Sequence, residues 1–176
     1  TETLSGIPSI VYGLFGMLFF VTALGWRLSL LAGAFTLAIM ILPLIMRSTE
    51  EALLAVPDLY REGSFGLGAG RLRTVFKVVL PSAMPGVLAG VILAIGRIVG
   101  ETAALLYTAG TATRLPDSIM KSGRTLSVHM YVLSTEGQHI GKTYATAAVL
   151  LIIVFVMNTL SAMVVLNYHS QCLHSR

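Results

Sequence analysis

Four apolar stretches are each long enough to cross a lipid bilayer, and they constrain the fold more than any other feature of the sequence. They cover residues 7–25, 28–46, 83–108 and 144–166. A helix needs about 20 apolar residues to span the hydrocarbon core, and a segment in lipid must satisfy its own backbone hydrogen bonds. These stretches also lack a polar stripe that could face water. The sequence therefore predicts an all-α integral membrane protein with about four spans.

The composition points the same way. The chain is 55% hydrophobic and 11% charged, with a mean hydropathy of +0.82, whereas soluble domains carry about 25% charged residues. The net charge of +4 is thinly spread, which indicates loop charge beside lipid headgroups and no nucleic-acid partner. Cys172 is the one cysteine and the histidines do not cluster, so no disulfide framework or metal site is predicted.

Two glycine-rich stretches imitate nucleotide-binding motifs. Residues 137–143 resemble a phosphate-binding loop but have three residues between the glycines where the motif needs four. Residues 66–70 lack the third glycine of the dinucleotide fingerprint and have no strand before them. No catalytic Ser–His–Asp or paired-carboxylate arrangement is readable either. We therefore predict that the chain is not an enzyme and holds no cofactor of its own.

The longest polar interruption, residues 47–81, predicts short helices between two spans. Ser48 followed by Glu51 forms a capping-box pattern, which predicts that a helix begins there. Pro57 lacks an amide donor and is expected to break that helix. Residues 58–67 are then predicted to form a second short helix.

A glycine-rich corner follows that short helix. Three glycines fall within five residues, which indicates a flexible or tightly packed corner where a side chain would block close backbone approach; they are Gly66, Gly68 and Gly70. Residues 72–80 are predicted to restart a helix, which Pro81 redirects. In the other long loop, 109–143, residues 118–134 are predicted to form a surface helix.

The third apolar stretch contains two charges, Arg97 and Glu101. A charge at the bilayer centre costs at least about 2.5–3.5 kcal/mol, and the i, i+4 spacing allows the two to pair. They could form a structural ion pair between helices. Alternatively, Arg97 could offer its planar guanidinium to a passing oxyanion, with Glu101 holding it when the anion is absent. The same face carries small residues, namely Gly86, Gly90, Ala94, Ala104 and Thr108.

Residues 62–81 resemble the EAA loop of bacterial ABC-importer permeases. Glu62 takes the acidic position, Gly68 the glycine and Leu80-Pro81 the closing pair, whereas Gly63 and Ser64 replace the usual two alanines. The resemblance implies that these six residues couple the permease to an ATPase. It also implies that the coupling loop, 47–81, is cytoplasmic and that the loop 109–143 faces outward. The Lys and Arg residues of the two loops are nearly equal in number and do not decide the orientation.

Two further motifs resemble phosphate-importer permeases. Residues 5–13 look like the opening of one of their helices, and residues 96–103 look like another, which carries Arg97, Glu101 and Thr102. The continuation after Thr102 resembles the PstA family more than the PstC family. The resemblance implies a multi-span helical bundle of the ABC importer permease (MetI-like) type. It further implies that residues 1–176 are a partial permease domain without its first spans, in which Arg97, Glu101 and Thr102 line the substrate pathway.

The resemblance also implies an assembly in the bacterial inner membrane. The expected partners are a second, PstC-like permease subunit, a PstB-like ATPase dimer that holds the ATP and Mg, an external PstS-like phosphate-binding protein, and the lipid bilayer. The expected function is inorganic phosphate import. Other interpretations remain open: a permease for sulfate or molybdate, a membrane scaffold or sensor subunit without transport, and a passive channel, which would not need the coupling loop.

Overall fold

The structure is a computed structural model that describes residues 6–137 and 140–174, with side chains up to Met163. All regular structure in this part of the chain is helical. In chain order the helices are α1 (Ser9–Gly16), which continues as a π-helical segment (Met17–Ala23), α2 (Leu30–Leu54), α3 (Asp58–Gly66), α4 (Arg71–Gly100), which contains a π-helical segment (Val75–Val79), α5 (Ala103–Thr108), α6 (Leu126–Glu136) and α7 (Ile140–His174). The predicted all-α class is confirmed.

Among the described residues, three helices are long and apolar enough to cross a membrane: α2, α4 and the part of α7 from Ile140 to Met163. The first predicted span corresponds to the shorter apolar helix Ser9–Ala23. The boundaries differ from those predicted, because α2 continues to Leu54 and α4 already begins at Arg71. The apolar stretches therefore located the spans, while the polar ends of the same helices extend beyond them.

The predicted helix start at Ser48 is wrong. Ser48 lies inside α2, which runs without interruption to Leu54. The side chains of Arg47 and Glu51 form an i, i+4 ion pair at 2.9 Å, which supports a continuous helix. No proline or glycine lies between Ser48 and Pro57, which is at the N-cap of α3, so α2 neither ends nor begins at the capping-box pattern.

The predicted redirection at Pro81 is also wrong, because α4 continues through it. A proline lacks an amide donor and its ring crowds the preceding turn. The π-helical segment Val75–Val79 lies immediately before it, and the Leu80 amide bonds to the carbonyl of Val75, five residues earlier. The Ser82 hydroxyl donates to the carbonyl of Val78 at 2.8 Å. Local widening of the helix and a side-chain donor thus accommodate the proline.

The chain divides into two compact units. The first comprises residues up to Pro43 together with Ile95–Met157, and its buried core contains Leu105, Ala109 and Val128. The second comprises Leu44–Ala94 together with the residues from Asn158 onward, and its core contains Val56, Val79 and Ala83.

In the first unit, α1 packs very closely against α5. A Cβ atom added at Gly13 would come within 2.9 Å of the Ala104 Cα. One added at Gly16 would come within 2.2 Å of the Thr36 Oγ1 and 2.8 Å of the Thr108 Cγ2. Small residues at this spacing let helices approach closely, as they do in membrane bundles.

The loop after α5 folds back onto the start of α2. The amides of Leu30 and Leu31, which a helix leaves unpaired at its N-terminus, donate to the carbonyls of Lys121 and Ile119 at 3.0 Å each. The surface helix predicted over 118–134 therefore begins later, at Leu126, with Thr125 as its N-cap. Residues 118–125 are not helical, and two of their carbonyls accept hydrogen bonds from the N-terminal amides of α2.

Some sequence features lie partly outside the described residues. Residues 138 and 139 of the phosphate-loop-like stretch 137–143 lie outside the described residues, and so does residue 5 of the stretch 5–13. The side chain of Cys172 lies in the part of α7 whose side chains are not described.

Candidate functional site

The glycine of the coupling loop ends the short helix α3. Gly68 has a φ of +79°, in the left-handed region that favours glycine. Its amide donates to the carbonyl of Phe65 at 2.9 Å, and the next amide, from Ala69, donates to the carbonyl of Ser64 at 3.1 Å. This pair of bonds is a Schellman motif, which satisfies carbonyls that a helix end otherwise leaves unpaired. Gly68 therefore turns the chain sharply from α3 toward α4.

Close backbone approach within the chain does not explain the glycine-rich corner. A Cβ atom added at Gly66, Gly68 or Gly70 would meet nothing within 4 Å. The requirement at Gly68 is its backbone conformation. The predicted close backbone approach is therefore wrong for contacts within the described part of this chain.

Polar contacts hold α3 at both of its ends. Near its start, Arg61 pairs with Asp58 and donates from Nη2 to the carbonyl of Leu53 at 2.9 Å, which caps the last turn of α2. Near its end, the hydroxyls of Ser64 and Thr74 lie 2.9 Å apart, and Thr74 is 1% exposed. Helix α3 is thus fastened to the C-terminal end of α2 and to the first turn of α4.

The outer face of α3 and of the turn after it is exposed and largely apolar. Leu59 is 77% exposed, Phe65 46% and Leu67 91%, and Glu62 lies exposed on the same short helix. An exposed apolar patch on an otherwise polar segment marks an interaction surface. We call Leu59, Glu62, Phe65 and Leu67 the coupling surface.

The six predicted coupling residues divide between two helices. Glu62, Gly63 and Ser64 lie on α3, and Gly68 follows it. Leu80 and Pro81 lie within α4, directly after its π-helical segment. Val79 and Ala83 flank Leu80 and Pro81 in α4. Their side chains pack with Val56, and Ala52 and Leu53 of α2 pack against this cluster. The closing pair thus belongs to the helix that supports the corner.

The second candidate region is a break in the third span. Helix α4 ends at Gly100, Glu101 and Thr102 are not helical, and α5 begins at Ala103. Glu101 is 8% exposed, and its Oε1 accepts the amide of Ala104 at 3.2 Å. The Ser127 hydroxyl donates to the carbonyl of Glu101 at 2.8 Å. A helix break at membrane depth requires such partners for the freed backbone groups.

The predicted pairing of Arg97 with Glu101 is not formed. The break places Glu101 beyond the end of α4, so the i, i+4 helical geometry does not connect the two side chains. No ion pair joins them within the described part of the chain, and the Arg97 side chain is exposed. Glu101 instead acts as a cap for α5. Thr102, between Glu101 and the start of α5, is half-buried, and its hydroxyl lies 3.4 Å from the carbonyl of Gly100.

The small residues of the predicted polar face are used for helix packing. A Cβ atom at Gly90 would lie 2.4 Å from the Ser48 Cβ, and one at Gly86 would lie 2.8 Å from the Ala52 Cβ. Ala94 is 2% exposed, and Ala104 and Thr108 are fully buried. Arg97 is therefore the residue of that face whose side chain remains exposed.

Sequence reasoning missed three residues that shape these regions. Arg61 and Thr74 fasten α3, and Ser127 satisfies the broken span. The i, i+3 spacing of Asp58 and Arg61 could have indicated a helical pair. Nothing in the sequence links Ser127 to Glu101, because the two are 26 residues apart and meet only in the folded chain.

Three membrane-length helices, with a short exposed helix between the first two in the sequence, define a multi-pass membrane protein in the described part of the chain. Residues 1–168 match the family described as the binding-protein-dependent transport system inner membrane component. The chain belongs to this family. The inward-facing structure of the MetNI methionine ABC transporter shows the same fold, with a TM-score of 0.73 at 23% identity over 95% of this chain and 71% of that one. The predicted MetI-like helical bundle is confirmed.

Several curated proteins are similar in sequence. The probable ABC transporter permease protein YqgI of Bacillus subtilis is 43% identical over 77% of this chain and 51% of its own length. The phosphate transport system permease protein PstA 1 of Mycobacterium tuberculosis is 35% identical over 93% of this chain and 55% of its own length. The chain thus spans about half the length of these relatives. The predicted resemblance to the PstA family is confirmed.

Proposed function

We propose that the chain forms part of a permease subunit that imports inorganic phosphate, driven by ATP hydrolysis in a separate subunit. The observation that carries this proposal is Arg97, an exposed guanidinium in the last turn of α4, three residues before that helix ends at Gly100. An arginine in that position is expensive unless it faces water or a partner, and its planar fork fits a phosphate oxyanion. The PstA name of several relatives supports phosphate as the substrate.

Coupling to the ATPase would pass through α3. Its coupling surface is exposed and apolar, and its two ends are fastened by Arg61 and by Ser64 with Thr74. A short helix held at both ends moves with the helices that hold it. Closure of an ATPase dimer against this surface would therefore displace α2 and α4, which is how rigid elements transmit switching motions.

Partners would also cover the apolar surface of α7. None of the residues in the most apolar window of Ile140–Met163 is buried within the described chain, and Leu151 and Phe155 are 70% and 73% exposed. Lipid and a second permease subunit are the expected contacts. An external phosphate-binding protein would deliver the anion on the opposite side of the membrane from α3.

The test uses the full-length permease assembled with its partner subunits in vesicles, with uptake of radiolabelled phosphate as the readout. Arg97→Ala is expected to lower uptake about 10- to 100-fold, because charge-assisted hydrogen bonds are lost, while the complex still assembles. Arg97→Lys is also expected to fail substantially, since a point charge does not reproduce the fork. Lys142→Ala, which removes an exposed cation from the start of α7, is the matched control.

Three results would contradict the proposal. Wild-type uptake by a normally assembled Arg97→Ala complex would remove Arg97 from the pathway. Sulfate or molybdate uptake at or above the rate for phosphate would assign another oxyanion. An ATPase rate that ignores phosphate and its binding protein would instead favour a scaffold or sensor subunit.

A further inference from the structure

A second basic site lies in the loop between α5 and α6, separate in sequence from Arg97. This loop and the first turn of α6 line a cavity of about 320 Å³ that is open on one side. Its lining includes three basic side chains and no acidic one; the lining residues are Ala112, Thr113, Arg114, Leu115, Pro116, Arg124, Thr125, Leu126 and His129. A cavity with apolar walls and a few convergent polar groups is the usual form of a small-molecule site.

Arg124 is the central cation of this cavity. Its Nη1 lies 2.9 Å from the Nδ1 of His129. Because a guanidinium only donates, Nδ1 must accept, which leaves the N–H on Nε2 of His129 as a donor. The Nε of Arg124 is buried and has no hydrogen-bond partner within the described residues. A buried donor of a charged group is costly when it is unsatisfied, so the site carries unused donor capacity.

No carboxylate neutralises this group of cations. The nearby ion pair of the loop joins Lys121 to Asp117 at 2.6 Å, and neither of these residues lines the cavity. Arg114 and Arg124 take part in no ion pair among the described residues. Arg114 is exposed at the cavity and can turn toward a ligand without losing a contact of that kind.

Hydrogen bonds hold the part of the loop that joins the two stretches lining the cavity. The loop carbonyls of Ile119 and Lys121 accept the first amides of α2. The Ser122 hydroxyl donates to the carbonyl of Ala109 at 2.7 Å, and the amide of Gly123 donates to the same carbonyl at 3.2 Å. Binding therefore costs little ordering of this joining segment, which favours affinity.

We propose that Arg114, Arg124 and His129 form a binding site for a small free oxyanion such as phosphate or sulfate. The two guanidinium groups supply charge-assisted donors, and the buried Nε of Arg124 is one that no other described group uses. Under the proposed function this loop faces outward, and the site would hold the anion before it reaches Arg97. That role rests on the proposed function, whereas binding of the anion does not.

The test measures local hydrogen exchange of residues 112–129 in the full-length, assembled transporter without its external binding protein or ATP. Inorganic phosphate is titrated in phosphatidylcholine nanodiscs at constant ionic strength, with chloride as the balancing anion. Phosphate is expected to slow exchange in this loop, and Arg124→Gln is expected to weaken the effect about tenfold or more. Arg114→Gln, at an exposed position that need not affect folding, is expected to weaken it in the same direction. Lys121→Gln removes the same charge from the same loop outside the cavity and is expected to bind as the wild type does.

The same experiment in the Arg97→Ala background separates this site from the translocation pathway. Protection that persists there supports the loop site, even if Arg97 proves to have no role in uptake. Equal protection by chloride, or protection unchanged in both the Arg124 and Arg114 variants, would overturn the proposal. Protection that needs phosphatidylglycerol and not free phosphate would assign the cavity to a lipid headgroup, which also overturns it.

Discussion

Replacing Glu101 by alanine removes the side chain that caps α5. The Glu101 Oε1 accepts the amide of Ala104 at 3.2 Å, Glu101 is 8% exposed and Ala104 is fully buried. Loss of a capping side chain costs about 0.5–2 kcal/mol, and leaving a buried donor unsatisfied costs about 1–3 kcal/mol. These figures describe the same lost bond, so Glu101→Ala is expected to lower the free energy of unfolding by about 1–3 kcal/mol.

Glutamine at the same position keeps a side-chain oxygen that can accept this amide. Because it loses only the assistance of the charge, Glu101→Gln is expected to cost less than about 1 kcal/mol. If Glu101 does not pair with Arg97, the double variant Arg97→Gln and Glu101→Gln is expected to be additive within about 0.5 kcal/mol. The pairing predicted from the i, i+4 spacing would give a larger coupling energy.

The assay is reversible unfolding of the full-length permease in detergent by titration with sodium dodecyl sulfate. It compares Glu101→Ala, Glu101→Gln, Arg97→Gln and the double variant with the wild type. A Glu101→Gln variant as unstable as Glu101→Ala would refute the capping argument, because it would make the charge essential. A coupling energy well above 0.5 kcal/mol between residues 97 and 101 would show that the two charges interact in the functional state.

Two further predictions concern glycines. Gly68→Ala places a side chain at a φ of +79° and is expected to cost about 1 kcal/mol or more and to reduce ATPase coupling in pull-down and turnover assays. Gly66→Ala, at the last residue of α3 with no neighbour within 4 Å, is its control and is expected to be neutral or to stabilise the helix by up to about 1 kcal/mol. Gly16→Ala inserts a methyl 2.2 Å from the Thr36 Oγ1 and is expected to destabilise the protein by about 1–3 kcal/mol in the same unfolding assay. Its control, Gly141→Ala, meets no atom within 4 Å, and an equal loss in both variants would contradict the packing argument.

Hydrophobic pattern and proline chemistry predicted the elements that depend on local sequence. The apolar stretches indicated the spans, and the short helix predicted over 58–67 is present as Asp58–Gly66, because Pro57 starts it and Gly68 can adopt the angles that end it. The break at Glu101 and Thr102 could not be predicted, since it depends on Ser127 from a later segment. The helix start expected at Ser48 was overridden by a continuous α2, where Ser48 contacts Gly90.

The widened turn before Pro81 gives α4 an angular offset along its own axis. A π-helical turn contains one more residue than the α-helical turn it replaces, and each residue of an α-helix advances the direction of side chains by about 100°. Because the extra residue is taken up within one turn, the widening leaves the Arg71–Thr74 segment and the residues from Leu80 onward in the orientation that a helix one residue shorter would give them. The same residues wound as an ordinary α-helix would rotate Arg71–Thr74 by roughly that angle, and Thr74 would then point away from Ser64, its hydrogen-bond partner on α3. The widened turn therefore sets the direction in which the coupling surface faces.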